Sequence, residues 1–168
     1  MTNRWVPFGI AGLIFIADLL SKMVIRANIS SLRTIHVIPH FLNLVHTENP
    51  GIAFSLFSDT GGKWRSVVLI GLSAAVIVFI AGTLLRGGAS GNWMLQISLA
   101  LVLGGAAGNL YDRIATGTVT DFVEVHAGDH YFPAFNVADS GITIGALLLL
   151  IDALAGSRSA KVNSDHVS

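Results

Sequence analysis

Two aspartates stand where carboxylates are scarce. Asp121 lies in Gly117-Thr118-Val119-Thr120-Asp121-Phe122, and Asp139 lies in Phe135-Asn136-Val137-Ala138-Asp139-Ser140, at the head of an apolar run that ends near Ala155. A carboxylate in such a place is costly unless it faces a partner or a wet cavity. If both point into one cavity, the close like charges cannot both ionise easily, so one carboxyl keeps a proton and the other is a base. The base takes a proton from water as that water attacks a peptide carbonyl. The protonated carboxyl hydrogen-bonds the carbonyl oxygen and later feeds the leaving amine. This chemistry needs neither a metal nor a covalent intermediate, and none is expected. Asn136 precedes Asp139 by one helical turn and is expected on the same helix face, where it orients substrate or a carboxylate. The competing reading makes Asp139 a helix cap and Asp121 a loop acid.

Other charged residues sit where a membrane should reject them. Asp18 and Lys22 have helical i,i+4 spacing, which suits a structural pair near a helix end or a substrate-facing pair. Gly104-Gly105-Ala106-Ala107-Gly108-Asn109 is a small-faced stretch of the kind that lets helices approach closely. Packing explains the glycines, but not Asn109, Asp112 and Arg113, which gather an amide, an acid and a guanidinium at the membrane edge. A site-shaping role is expected for them, against the alternative that Arg113 snorkels with Asp112 as its partner. His126 and His130, with Glu124 and Asp129 nearby, raise the question of zinc. Gly128 and the β-rich context argue against the helix that would align both imidazoles. No histidine lies within a span, which leaves haem without ligands.

The elements that must position these residues follow from composition. A mean hydropathy of +0.68, with 52% hydrophobic and 12% charged residues, is wrong for a soluble domain and right for a polytopic membrane protein. Ten basic and ten acidic residues cancel, so nothing invites nucleic acid. No cysteine is present, which excludes disulfides, thiolate nucleophiles and Cys-ligated metal. Four stretches are long enough to cross a bilayer, at about 5–25, 67–85, 93–110 and 137–155. The first resembles a signal peptide in having Arg4 before an apolar core, but Asp18 and Lys22 continue it without a small-x-small cleavage site.

The expected fold is therefore a mainly α integral membrane protein, a single domain over 1–168 with four transmembrane helices and a small extramembrane β platform. The platform is assigned to about 30–60 and 111–133, with β segments at Thr34–Ile38, Phe41–Val45 and Val119–Val125 and turns at Pro39, Asn49-Pro50-Gly51 and Ala127-Gly128-Asp129. It lies opposite the termini and suits an extended peptide or a lipid headgroup. Asn49-Pro50-Gly51 and Gly61-Gly62 are natural hinges for a lid. Residues 157–168 form a polar tail expected to be disordered. The side with the termini carries Arg4, Arg86, Arg158 and Lys161, and the other carries Lys22, Arg26, Arg33, Lys63, Arg65 and Arg113. Counted plainly, the positive-inside rule puts the platform in the cytoplasm. The count is set aside because Lys22 and Arg113 are expected to be site residues or paired.

Five motifs in order resemble the signature of the lipoprotein signal peptidases, the signal peptidase II family. They are Asp18-x-x-Ser21-Lys22, Asn49-x-Gly51-x-Ala53-Phe54-Ser55, Gly104-Gly105-x-x-Gly108-Asn109-x-x-Asp112-Arg113, Val119-x-Asp121-Phe122 and Phe135-Asn136-x-Ala138-Asp139. The resemblance implies a four-span aspartic peptidase of the bacterial inner membrane, with both termini cytoplasmic and the active site at the outer, periplasmic face. It implies removal of the signal peptide from prolipoproteins, with cleavage just before the diacylglyceryl-modified cysteine. Asp121 and Asp139 would be the catalytic dyad, and Asp18, Lys22, Asn49, Gly51, Gly104, Asn109, Arg113 and Asn136 would bind substrate or shape the site. Membrane lipid and globomycin-like cyclic peptides are the further implied partners. The glycines at 104, 105 and 108 would leave room for a signal helix or its lipid. Pro50 is the one departure, stiffening a turn without touching the named positions.

Two rival readings remain. Tyr111-Asp112 has the look of a presenilin-type protease motif, but the partner Gly-x-Gly-Asp is missing. A small transporter or assembly factor would use Asp18, Lys22, Arg113 and Asp139 as an ion or proton path. It leaves the platform, Asn136 and the ordered motifs unexplained.

Overall fold

The structure, a computed structural model, describes residues 4–51 and 62–165. The order is α1 (Val6–Asn28), β1 (Ile35–Ile38), β2 (Leu42–Asn49), α2 (Gly62–Leu85), α3 (Trp93–Ala115), β3 (Val119–Ala127), β4 (His130–Tyr131) and α4 (Val137–Asp165). Among the described residues, four helices are long and apolar enough to cross a membrane, over Val6–Asn28, Trp64–Leu85, Trp93–Ala115 and Val137–Ala155. Their polarity is inverted relative to a soluble bundle. Leu13, Val78 and Phe79 point outward and exposed, whereas Asp18, Lys22 and Asp112 are buried. Hydrocarbon solvates the apolar faces, and ionised groups persist inside only because they meet one another. Exposed Trp5, Trp64 and Trp93 stand at helix starts, where an indole suits the membrane–water interface.

Helix α3 is the hub of the bundle and packs against α1, α2 and α4. Its glycines make the close approach possible. A Cβ on Gly104 would lie 2.5 Å from the Ala11 carbonyl oxygen of α1, and one on Gly105 would collide with the Ala138 carbonyl oxygen of α4. One on Gly108 would lie 2.5 Å from Asp18 Oδ2. The space expected for a signal helix or its lipid at these glycines is thus filled by α1 and α4. Away from the site, Ala11, Ile80, Leu84, Leu99 and Leu103 form the main apolar cluster.

The platform is a four-stranded sheet in the order β1-β2-β3-β4, with each neighbouring pair antiparallel. Between β2 and β3 the register pairs Thr47 with Asp121, Glu48 with Thr120 and Asn49 with Val119. Ile25, Ile29 and Phe122 seat the sheet on the end of α1. The β1–β2 turn passes through Pro39 and His40, the latter at φ 60.

Three expectations need correction or limits. Platform structure was expected from Tyr111, but α3 continues to Ala115 and the sheet resumes only at Val119. The extra turn holds because Asp112 is buried against α1 and Arg113 complements the helix C-terminus. The polar tail expected to be disordered is helical to Asp165, since extending an existing helix costs far less than starting one. The Ala53-Phe54-Ser55 part of the second motif, and the hinge at Gly61, lie outside the described residues.

Candidate active site

Asp121 and Asp139 come from different elements and share one cavity. Asp121 sits on β3 and Asp139 in the first turn of α4, and both line a cavity of about 600 Å³ with Asn49, Gly51, Arg113 and Ser140. Its remaining wall is largely apolar and includes Leu69, Phe132 and Ile144. The strand alternates faces, so Asp121 looks into the cavity while Thr120 looks back into the bundle.

Each carboxylate is held by amides. Asn49 Nδ2 donates to Asp121 Oδ2 at 2.9 Å, and Asn136 Nδ2 donates to Asp121 Oδ1 at 2.7 Å. Asn109 Nδ2 donates to Asp139 Oδ1 at 2.7 Å. Asn136 is not on the helix face expected from its spacing; it caps α4. Its Oδ1 accepts the Asp139 backbone N–H at 2.9 Å, and Asp139 Oδ2 accepts the Asn136 N–H at 3.3 Å. This reciprocal capping box fixes the Asp139 carboxylate as part of starting the helix. The cap reading and the site reading of Asp139 thus describe one arrangement.

Burial is the main reason the Asp121 carboxyl is pushed up from 3.8 to about 6, helped by the charge of Asp139. The Asn49 and Asn136 hydrogen bonds and the Lys22 charge pull the other way. An acid poised near neutrality suits proton transfer. Gly51 stands in the left-handed region at φ 87, with its N–H donating to Asn49 Oδ1 at 2.8 Å. That turn aims the Asn49 amide nitrogen at Asp121, and the Gly51 α-carbon faces Leu69 with no space for a side chain.

Asp18 and Lys22 are structural rather than substrate-facing. Lys22, with no exposed surface, bonds Asp18 Oδ2 at 2.6 Å, Asp112 Oδ2 at 2.9 Å and Asn109 Oδ1 at 3.2 Å. Asp18 Oδ1 accepts the Ala138 N–H at 2.9 Å, which ties α1 to the start of α4. Because Lys22 occupies Asn109 Oδ1, the amide nitrogen must face Asp139. Gly104 is absent from the cavity lining and acts through packing.

The alternative that Arg113 snorkels with Asp112 as its partner does not hold, because Asp112 is paired with Lys22 and with Arg26 Nη2, both at 2.9 Å. Arg113 instead lines the cavity and donates from Nη1 to the Asn109 carbonyl oxygen at 3.2 Å. Sequence reasoning missed Arg26, Glu48 and Thr120. A usable signal existed for Arg26, which continues the Asp18–Lys22 face by one more turn; none existed for Thr120. Among the described residues no group of side chains is arranged to hold a metal ion, and His126 stacks on Tyr131 with ring centroids 4.7 Å apart.

Known proteins resemble this chain over nearly its whole length. The family model for signal peptidase (SPase) II matches residues 10–155. A lipoprotein signal peptidase of Solibacter usitatus is 43% identical over 160 residues, covering 94% of this chain and 95% of the relative. One from Pseudomonas fluorescens is 42% identical over 157 residues, covering 91% and 89%. A solved bacterial membrane enzyme superimposes with a TM-score of 0.79 at 30% identity, covering 90% of this chain and 89% of the other. With the family model matched over residues 10–155 and relatives 42–43% identical over most of their length, the chain belongs to the signal peptidase II family.

Proposed function

We propose that Asp121 and Asp139 are the catalytic pair with which this multi-pass membrane aspartic peptidase removes signal peptides from prolipoproteins, cutting just before the diacylglyceryl-modified cysteine. The observation that carries the reading is the shared cavity, which a buried Asp121 and a half-buried Asp139 from separate elements line beside an apolar wall. One carboxylate takes a proton from water, whose oxygen bonds to the scissile carbonyl carbon while the protonated partner gives its proton to the carbonyl oxygen. The resulting diol collapses as the C–N bond breaks: one hydroxyl proton returns to the partner carboxylate, and the leaving amine takes the proton first drawn from water. Asn49, Asn109 and Asn136 keep both acids aimed at the cavity. Arg113 adds a positive charge beside the acids, and Leu69, Phe132 and Ile144 suit a signal helix or acyl chains. Globomycin-like cyclic peptides would compete for the same cavity.

The membrane placement proposed is the bacterial inner membrane, with termini cytoplasmic and the sheet outside. The charge count now supports it. Lys22, Arg26 and Arg113 lie inside α1 and α3, engaged with buried partners or lining the cavity, so they are not loop charges. Their removal leaves Arg33, Lys63 and Arg65 against Arg4, Arg86, Arg158 and Lys161. The test is cleavage of a diacylglyceryl-modified prolipoprotein by purified protein in detergent with excess chelator, beside Asp121→Asn and Asp139→Asn. Wild-type cleavage that survives chelation and vanishes in both variants supports the dyad. Equal cleavage by either variant, or a folded wild type that cuts nothing, overturns it.

A further inference from the structure

Thr120 precedes Asp121 and is fully buried, and every polar group it owns is engaged by a different part of the fold. Its hydroxyl accepts from Arg26 Nε of α1 at 2.8 Å and donates to Glu48 Oε1 of β2 at 2.9 Å. Its backbone N–H faces Asp112 Oδ2 of α3 at 3.4 Å. Its carbonyl accepts at 3.3 Å from Asn136 Nδ2, the nitrogen that also holds Asp121 Oδ1. Arg26 extends the clamp, its fork bridging Thr120 and Asp112. Glu48 is stationed for this work: burial pushes its carboxyl up, but hydrogen bonds from Thr118, Thr120 and His46 and the Arg26 charge outweigh that and hold it below its usual range.

We infer that Thr120, clamped between Arg26 and Glu48 on the face of β3 opposite the cavity, is a positioning residue that sets where the Asp121 carboxyl stands. The inference rests on the reading of Asp121 as catalytic. Strand geometry gives the reason. Adjacent residues share one peptide plane, so a displacement of Thr120 is passed to the Asp121 α-carbon at nearly full amplitude. Anchoring to α1, α3 and β2 together leaves the strand no direction in which to drift. Asn49 and Asn136 then meet Asp121 at hydrogen-bond length, and reaction geometry is sensitive on the ångström scale.

The decisive variant is Thr120→Val, which keeps the shape and removes the hydroxyl, measured beside Thr120→Ser, which restores it. Both are assayed as full chains in detergent, per folded molecule judged by size-exclusion profile, on a diacylglyceryl-modified prolipopeptide. Thr120→Val is expected to lower kcat about ten- to hundredfold with KM within about twofold, as expected for a misplaced catalytic group. The alkaline limb of its kcat profile, where the dyad loses its single proton, should move to higher pH. Asp121 is then released from the Asn49 and Asn136 hydrogen bonds that lower its pKa, while burial and Asp139 still raise it and Lys22 and Arg113 still attract it. Thr120→Ser should return both kcat and the limb toward wild type. A Thr120→Val protein that melts earlier but keeps wild-type kcat, KM and pH profile makes Thr120 merely structural and overturns the inference. If Thr120→Val does not fold, Arg26→Lys decides: it keeps the charge but loses the fork, and an unchanged kcat and alkaline limb there also overturns it. Asp121→Asn separates the two levels, since an active Asp121→Asn protein refutes the dyad itself, whatever Thr120 does.

Discussion

Replacing Asp121 with asparagine should abolish cleavage and, at neutral pH, make the protein more stable. The folded carboxyl titrates at about 6 against 3.8 for an ordinary aspartate, chiefly because it is buried. Between those values the folded chain holds a proton that the unfolded chain has lost. The stability contributed by the neutral acid is therefore fully present below pH 3.8 and is lost as pH rises through about 6. A shift of about 2 units corresponds to about 3 kcal/mol. Asp121 is only 3% exposed, so solvent screening takes little from this figure. The amide cannot ionise but offers one acceptor where two donors wait, Asn49 and Asn136, and the lost hydrogen bond returns about 1 kcal/mol. Asp121→Asn should thus gain about 2 kcal/mol over wild type at pH 8, with the gain reversed below pH 4. Thermal melts followed by tryptophan fluorescence in one detergent, from pH 4 to 8, measure the difference. Curves for wild type and variant that stay parallel across the range refute the assignment of a raised pKa to Asp121. Asp139→Asn should move the window to lower pH, because the charge that helps raise the Asp121 pKa is gone.

Lys22→Met should destabilise the protein by about 3–5 kcal/mol, because Asp18 and Asp112 would remain buried with Arg26 as the nearer cation; chemical unfolding measures this, and Asp18→Asn added to Lys22→Met should recover part of the loss. Gly108→Ala should cost about 1–3 kcal/mol by forcing a methyl group onto the pinned Asp18 carboxylate. Gly82→Ala in α2, with nothing within 4 Å of the new methyl, should be neutral or slightly stabilising in the same melts. Since the chain has no cysteine, Ser31→Cys and Ser90→Cys provide clean topology probes at exposed positions. In intact cells an impermeant maleimide should label the first and spare the second, and the opposite pattern would invert the proposed orientation.

The spans were legible because hydrocarbon imposes a length and a composition that local sequence must satisfy. A shared cavity for Asp121 and Asp139 could be raised from the sequence, because a carboxylate at the membrane edge demands a partner or water, but spacing left the cap and loop-acid readings equally open and only the ordered motifs favoured the pair. What could not be read was which charge finds which. Asp112 adjoins Arg113 in sequence, yet consecutive helical residues diverge by about 100°, and Asp112 turns toward Lys22 and Arg26 on α1. Asn136 was expected on the Asp139 helix face because it stands three residues before Asp139, whereas its backbone sits at the cap, a distinction that one residue of boundary error erases. Thr120 carried no signal, since a threonine in a β-rich run is ordinary; its contacts with Arg26 and Glu48 emerge only once the fold sets Glu48 opposite it.

The Lys22–Asp18 pair lies within a single helix, one turn apart. During biosynthesis α1 leaves the ribosome long before α3 and its Asp112 exist. An ammonium that depended on Asp112 alone would have to wait unpaired at the insertion machinery. Closing first on its own helix, Lys22 lets α1 partition with a local ion pair already made, and Asp112 later joins a charge that is already housed. The order in which the chain is made is thereby reconciled with a core that needs both of its halves.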